Sequence, residues 1–116
     1  MDRSLPCNIE AEKRVLGACI RDEDAITATK TKVGLVADDF YQPGHATIFA
    51  ILVEMFDRKI PIDLVTLSEM LESRGQLNSC GGAYYLIELA NCVATSVNAE
   101  YHALIVREKA IRRNLI

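Results

Sequence analysis

Tryptophan is absent from the chain, and three Phe and four Tyr are its only aromatics. A core made without large aromatics must draw on Leu, Ile, Val and Ala. Leu and Ala favour helix, so the composition leans toward an all-α fold. A basic excess is also missing: 13 Lys and Arg face 16 Asp and Glu, for a net charge of −3. Dedicated nucleic-acid binders are usually basic, which argues against a large phosphate-contact surface, though not against a small basic patch, and favours a protein partner. No window approaches the ~20 apolar residues of a membrane span. The opening MDRSLPCNIEAEK lacks the apolar run of a signal peptide.

Motifs for chemistry are missing as well. There is no G-x-x-x-x-G-K-[ST], no Gly-Lys pair and no G-x-G-x-x-G. H-E-x-x-H, an EF-hand loop and G-x-S-x-G are absent too. Cys7, Cys19, Cys80 and Cys92 form no Cys-x-x-Cys pair. Cys19 and Cys92 fall in apolar stretches, where free cysteine acts as a small hydrophobe. Reduced structural thiols in a cytoplasmic protein follow, since disulfide scaffolds are secreted and denser in Cys.

What is present is one domain's worth of helical patterns. The chain has 116 residues, half of them hydrophobic, enough for one modest core without staples. No repeat, low-complexity tract or internal linker interrupts it. Asn8 is a natural N-cap for a helix from about Ile9 to about Arg21, with Glu10 and Glu12 complementing the dipole. Val15, Leu16, Cys19 and Ile20 give that helix its apolar face, and Gly17 inside it permits close packing. Residues 24–33 mix three threonines with non-alternating apolar residues and are read as a helix closed by Gly34. Ile48, Phe49, Leu52, Val53 and Phe56 define a strong amphipathic helix of about four turns from Gly44. Asp63 caps the next, which carries Leu64, Leu67 and Leu71 and ends at Gly75. QLNSCGG is a turn, and a shorter helix runs from about Gly82 to Cys92, with Leu86, Leu89 and Ala90 as its buried face. Ser96 or Asn98 caps the last helix, from about Ala99. Its residues Tyr101, Leu104, Glu108, Ile111 and Leu115 make nearly an a/d heptad. The stripe reaches the final residues without a C-cap signal, so the chain is expected to stop at a domain edge of a longer protein.

The stretch DDFYQPGHATIF holds the residue types of chemistry: Asp38, Asp39, Tyr41 and His45. Its spacing reads better as a helix-to-helix joint. Asp38 and Asp39 cap a short turn formed by residues 39–41, Phe40 plugs the core, and Pro43 suits a first helical turn. His45 then pins a loop carbonyl or a neighbouring carboxylate. A partner contact or a catalytic role for His45 stays open from sequence alone. Of Tyr84 and Tyr85, one borders the core and the other is exposed beside the Gly-Gly turn; Tyr85 lies nearer the buried face.

Taken in order, Pro6 with IEAEKRVLGACI, DDFYQPGHATIFAIL, IPIDLVTLSEMLESRGQL, GGAYYLIELA and NAEYHALIVREKAIRRNLI resemble the N-terminal domain of the DnaB-type hexameric replicative helicases. The ordered set covers nearly the whole chain. It departs at Ala94, where the family usually has Pro, and in ITATKTKVGLV. The resemblance implies a compact bundle of about six short helices, residues 1–116, lying before a helical hairpin, a linker and an ATPase domain. It implies no catalysis and no cofactor here, with ATP and Mg belonging to the absent motor domain. It implies self-association as dimers within a hexamer collar (a trimer of dimers), primase as a partner, a helicase loader as another, and DNA engaged through the full-length ring. The family's partner-facing regions map onto Glu10, Tyr85 and Ile116. Two other readings compete. One is a small DNA-binding domain using the basic last helix; the other is a metal-dependent enzyme around Asp38, Asp39 and His45.

Overall fold

A computed structural model describes residues 5–115. Among them every regular element is helical. The α-helices are α1 (Ile9–Arg21), α2 (Glu23–Ile26), α3 (Pro43–Asp57), α4 (Leu64–Ser73), α5 (Gly82–Asn91) and α6 (Ala99–Asn114).

The local signals act as their chemistry dictates. Asn8 Oδ1 accepts from the Ala11 amide at 2.9 Å and starts α1. Asp63 and Thr66 form a reciprocal cap on α4: the Thr66 amide donates to Asp63 Oδ1 at 2.8 Å, and the Asp63 amide to Thr66 Oγ1 at 2.9 Å. Pro43 opens α3, where its missing N–H costs no hydrogen bond. At the start of α6, Asn98 occupies the cap position without a side-chain cap bond. Ser96 instead donates its hydroxyl to Asp22, 2.7 Å away.

The threonine-rich segment is helical but widened. α2 runs into a π-helical turn over Thr27–Lys32. Buried Thr29 donates to the Ile26 carbonyl at 3.3 Å, the back-bonding that bends helices around β-branched hydroxyl residues. The Asp-Asp turn requires a correction. The 3-10 turn spans Ala37–Asp39, so both aspartates lie within it rather than before it. Asp38 is exposed and only Asp39 is buried. Asp39 Oδ2 accepts from the Val36 amide at 3.0 Å.

α1 is the centre of the bundle. It packs against α2, α3, α5 and α6. Ala11, Glu12, Gly17 and Ala18 are buried along with the expected apolar face. A helix buried nearly all round suits small residues, which let neighbours approach from every side. Gly17 makes the requirement explicit: a Cβ there would lie 2.1 Å from the Leu89 carbonyl oxygen of α5. Around this axis Ile48, Phe49, Leu52, Met55, Leu67, Leu71, Leu86 and Leu89 complete the core. Phe40 plugs it, its ring 5.0 Å from that of Phe49.

α6 packs on α1, on the π-helical turn and on the Ala37–Asp39 turn, and Ala99, Ala103, Val106 and Ala110 are its buried residues. Its heptad-like stripe therefore faces outward: Tyr101 is 69% exposed, Leu104 49%, Ile111 46% and Leu115 82%. All four cysteines are free. Burial pushes the Cys19 thiol up to about 12, against a smaller opposing effect of Thr29.

Candidate partner-binding surface and its buried support

Glu12 is the polar centre of the molecule. Its side chain is 1% exposed. Position 12 lies three, four and seven residues before Val15, Leu16 and Cys19, so helical geometry carries it into the core. A buried carboxylate needs donors, and the joint supplies three. The Tyr41 and Gln42 amides donate at 2.7 and 3.3 Å, and His45 Nδ1 lies 2.8 Å from Oε1. His45 is fully buried in the first turn of α3. Its other nitrogen, Nε2, is 2.5 Å from the Tyr85 hydroxyl. An ionised Glu12 makes Nδ1 the donor, and in the neutral ring Nε2 then accepts from the Tyr85 O–H. Burial raises the Tyr85 phenol above its usual range, with Lys13 pulling the other way. The hydroxyl therefore keeps its proton at neutral pH and remains a donor.

A second clamp holds the same joint from α6. Arg107 reaches Asp39 Oδ1 at 3.1 Å. Arg113 donates to the Pro6 carbonyl at 2.9 Å and to the Asp39 carbonyl at 2.6 Å. Its guanidinium also stacks 5.4 Å from the Tyr41 ring centroid. Every buried side-chain nitrogen and oxygen among the described residues has a partner.

These bonds decide what the opening residue types do. Both ring nitrogens of His45 and both carboxylate oxygens of Asp39 are engaged within the fold. Asp38 is exposed. The three do not converge as ligands or as an acid–base set, and His45 pins a carboxylate, as an architectural residue would. The basic side of α6 is partly committed: Arg107 and Arg113 hold the joint, Arg112 pairs with Glu108 at 3.2 Å on the exposed surface, and Lys109 enters no ion pair among the described residues.

The mapped partner residues separate. Tyr85 is half-buried, its hydroxyl turned inward to His45, while Tyr84 is 89% exposed. Glu10 is exposed and bonded to Arg14 at 3.2 Å. Lys13 joins the two neighbourhoods, paired with Glu88 at 2.8 Å and sensing both Tyr85 and Glu10. The structure links Tyr85 through His45 to Glu12, not to Glu10. Ile116 lies outside the described residues.

The family model described as the DnaB-like helicase N terminal domain matches residues 4–108. The chain belongs to this family. It is 44% identical over 115 residues to the replicative DNA helicase DnaC of Bacillus subtilis (strain 168), and 43% identical over 115 residues to the replicative DNA helicase DnaB of Geobacillus stearothermophilus. Each alignment covers 99% of this chain and 25% of the relative. The crystal structure of the N-terminal domain of DnaB helicase from Mycobacterium tuberculosis superposes with a TM-score of 0.90 at 39% identity, covering 95% of this chain and 75% of that one. The chain thus spans about a quarter of the length of the curated relatives it matches. As a DnaB-like helicase N-terminal domain, it shares with that structure an all-α bundle. No helix among the described residues is long and apolar enough to cross a membrane.

Proposed function

We propose that this DnaB-like N-terminal domain is a non-catalytic assembly and primase-docking module of a cytoplasmic replicative helicase, one that forms dimers within a hexamer collar. The observation that carries this reading is the division of α6 into two faces. Its inner face is small and packs on α1, while its outer face carries Tyr101, Leu104, Ile111 and Leu115 into solvent. Large apolar side chains at heptad spacing are the seam of helix–helix association. ATP and Mg chemistry, the following hairpin and linker, the loader and the ring's hold on DNA are assigned to the rest of the longer protein. DNA binding by α6 alone is disfavoured because Arg107 and Arg113, two of its three arginines, are engaged in the fold.

We assign primase docking to Glu10, Tyr85 and Ile116, with Lys13 lying between the neighbourhoods of the first two. The half-buried Tyr85 ring offers an anchor already held in one orientation by His45. Titrating the chain with the helicase-binding domain of its cognate primase tests this. Saturable binding is expected, weakened by roughly 1–3 kcal/mol in Tyr85→Ala, the range for an interface anchor. Since Tyr85 also supports His45, Tyr85→Phe is run beside it and should bind almost as well as the native chain. Absence of binding to the native chain at any attainable concentration would remove the docking role.

A further inference from the structure

Three surface depressions converge on Val65, in the first turn of α4. One, of about 360 Å³, lies between α4 and α5 and is lined by Leu64, Val65, Glu69, Glu72, Ala83 and Ile87, with Ser68 between them. A second, of about 470 Å³, lies on the other side of α4, where Met55, Ile60 and Met70 join Val65 and Glu69. The third, at the start of α4, adds Ile20 and Ile62 together with the charged Arg21 and Asp63, which sets it apart from the first two. Val65 is 77% exposed and Ile87 42%. An isolated exposed hydrophobe needs no explanation, but apolar side chains sharing contiguous depressions mark interaction sites. Valine and isoleucine are also below-average helix formers, so local propensity gives no reason for them at solvent positions.

Charge narrows the occupant. Glu69 and Glu72 are the only charged residues lining the first two depressions. Among the described residues neither enters an ion pair. Glu54 and Glu88, by contrast, are neutralised: Glu54 is held by Arg74 and Arg58, and Glu88 by Lys13. Val65, Glu69 and Glu72 follow one side of α4 at helical spacing, and Ala83 and Ile87 follow α5 in the same way. The result is a two-helix groove with an apolar floor and one unneutralised acidic wall.

We propose that the α4–α5 face docks a basic amphipathic helix from a partner protein. Apolar side chains at i, i+3 or i+4 and i+7 enter the depressions beside Val65, and Lys or Arg residues reach Glu69 and Glu72. The face is separate from the Tyr85 rim, whose hydroxyl turns toward His45 and α1.

The probe is a 15-residue helical peptide with Leu at i, i+3, i+4 and i+7 and Lys elsewhere, with a Glu-for-Lys peptide as control. Amide NMR shifts of the labelled chain give site and affinity together. The Lys peptide should move the α4 and α5 amides around Val65, Glu69 and Ile87, and the Glu peptide should not. Glu69→Lys with Glu72→Lys should weaken binding at least tenfold, and Val65→Ser should weaken it separately. All three positions are exposed, so an unchanged melting temperature confirms that the variants fold. The proposal is overturned by no binding at millimolar Lys peptide, by equal binding of the Glu peptide, or by unchanged affinity in the charge-reversed variant. Shifts confined to the outer face of α6 also overturn it. So do α4–α5 shifts that follow protein concentration alone, since the occupant would then be a second copy.

Discussion

The joint before α3 and the outer face of α6 break the usual inside–outside rule in opposite directions. The joint places Glu12, Asp39 and His45 in the interior. α6 places alanines inside and Tyr101, Leu104, Ile111 and Leu115 outside. The joint is tolerable because each buried polar group meets partners: the Glu12 carboxyl has the Tyr41 and Gln42 amides and the His45 ring, and Asp39 has the Val36 amide and Arg107. The α6 stripe has no such internal account. Alanines let α6 approach α1 closely, and that packing needs nothing from the large residues opposite. One region is finished within the chain, and the other leaves large apolar side chains in solvent, which is why we propose a surface beyond it.

The sharpest way to break this contrast is to unmake the joint. Glu12→Ala leaves the Tyr41 and Gln42 amides and the His45 ring without their acceptor. A loss of about 3–5 kcal/mol is expected, as for breaking a buried pair on one side. Urea denaturation measures it, and a loss under about 1 kcal/mol would mean that water replaces the carboxylate, as at an exposed site. Asp39→Ala should cost less, roughly 1–3 kcal/mol, because Arg107 is partly exposed and can turn to solvent. Tyr85→Phe removes only the hydroxyl, and about 1 kcal/mol is expected from that bond.

Changes on the open surface should be quieter. Leu104→Ser with Ile111→Ser is expected to leave monomer stability within about 0.5 kcal/mol, the range for surface positions. The smallest effect belongs to Glu54. Arg74, and then Arg58, hold its carboxyl down at about 2. A depressed folded value means that the stabilising contribution is present above the ordinary carboxylate range and disappears as pH falls toward 2. Glu54 is exposed enough for solvent to screen the pair, so the difference between native and Glu54→Gln chains should be slight at pH 7. It should shrink in urea melts at pH 4 and again at pH 3.

Much of the fold was legible from individual residues. Asn8, Asp63, Pro43 and Gly75 mark helix ends through backbone chemistry that acts locally. Phe40 as a core plug and Gly17 as a contact point also follow from local pattern. The π-helical turn did not: Thr29 sits at it buried, bonded both to the Ile26 carbonyl and to Cys19 of α1, and the second partner lies outside the local pattern. Nor did the role of Glu12, whose acidic character at a helix start matched a dipole effect. Its spacing to Val15, Leu16 and Cys19 was the signal that it faces inward. The pairing of Asp39 with Arg107 spans 68 residues, and no local pattern announces it. The orientation of the α6 stripe depended on which of two helical faces meets α1, and Ala99, Ala103 and Ala110 won by allowing close approach.

The central claim is that the outer face of α6 is an association surface, while the Asp and His residues of the joint are architecture. Sedimentation equilibrium of the native chain beside the Leu104→Ser, Ile111→Ser variant tests it most directly. The account expects a concentration-dependent dimer for the native chain, and a monomer of unchanged melting temperature for the variant. A native chain that stays monomeric at several hundred micromolar, or a variant that dimerises as well as the native chain, would contradict it.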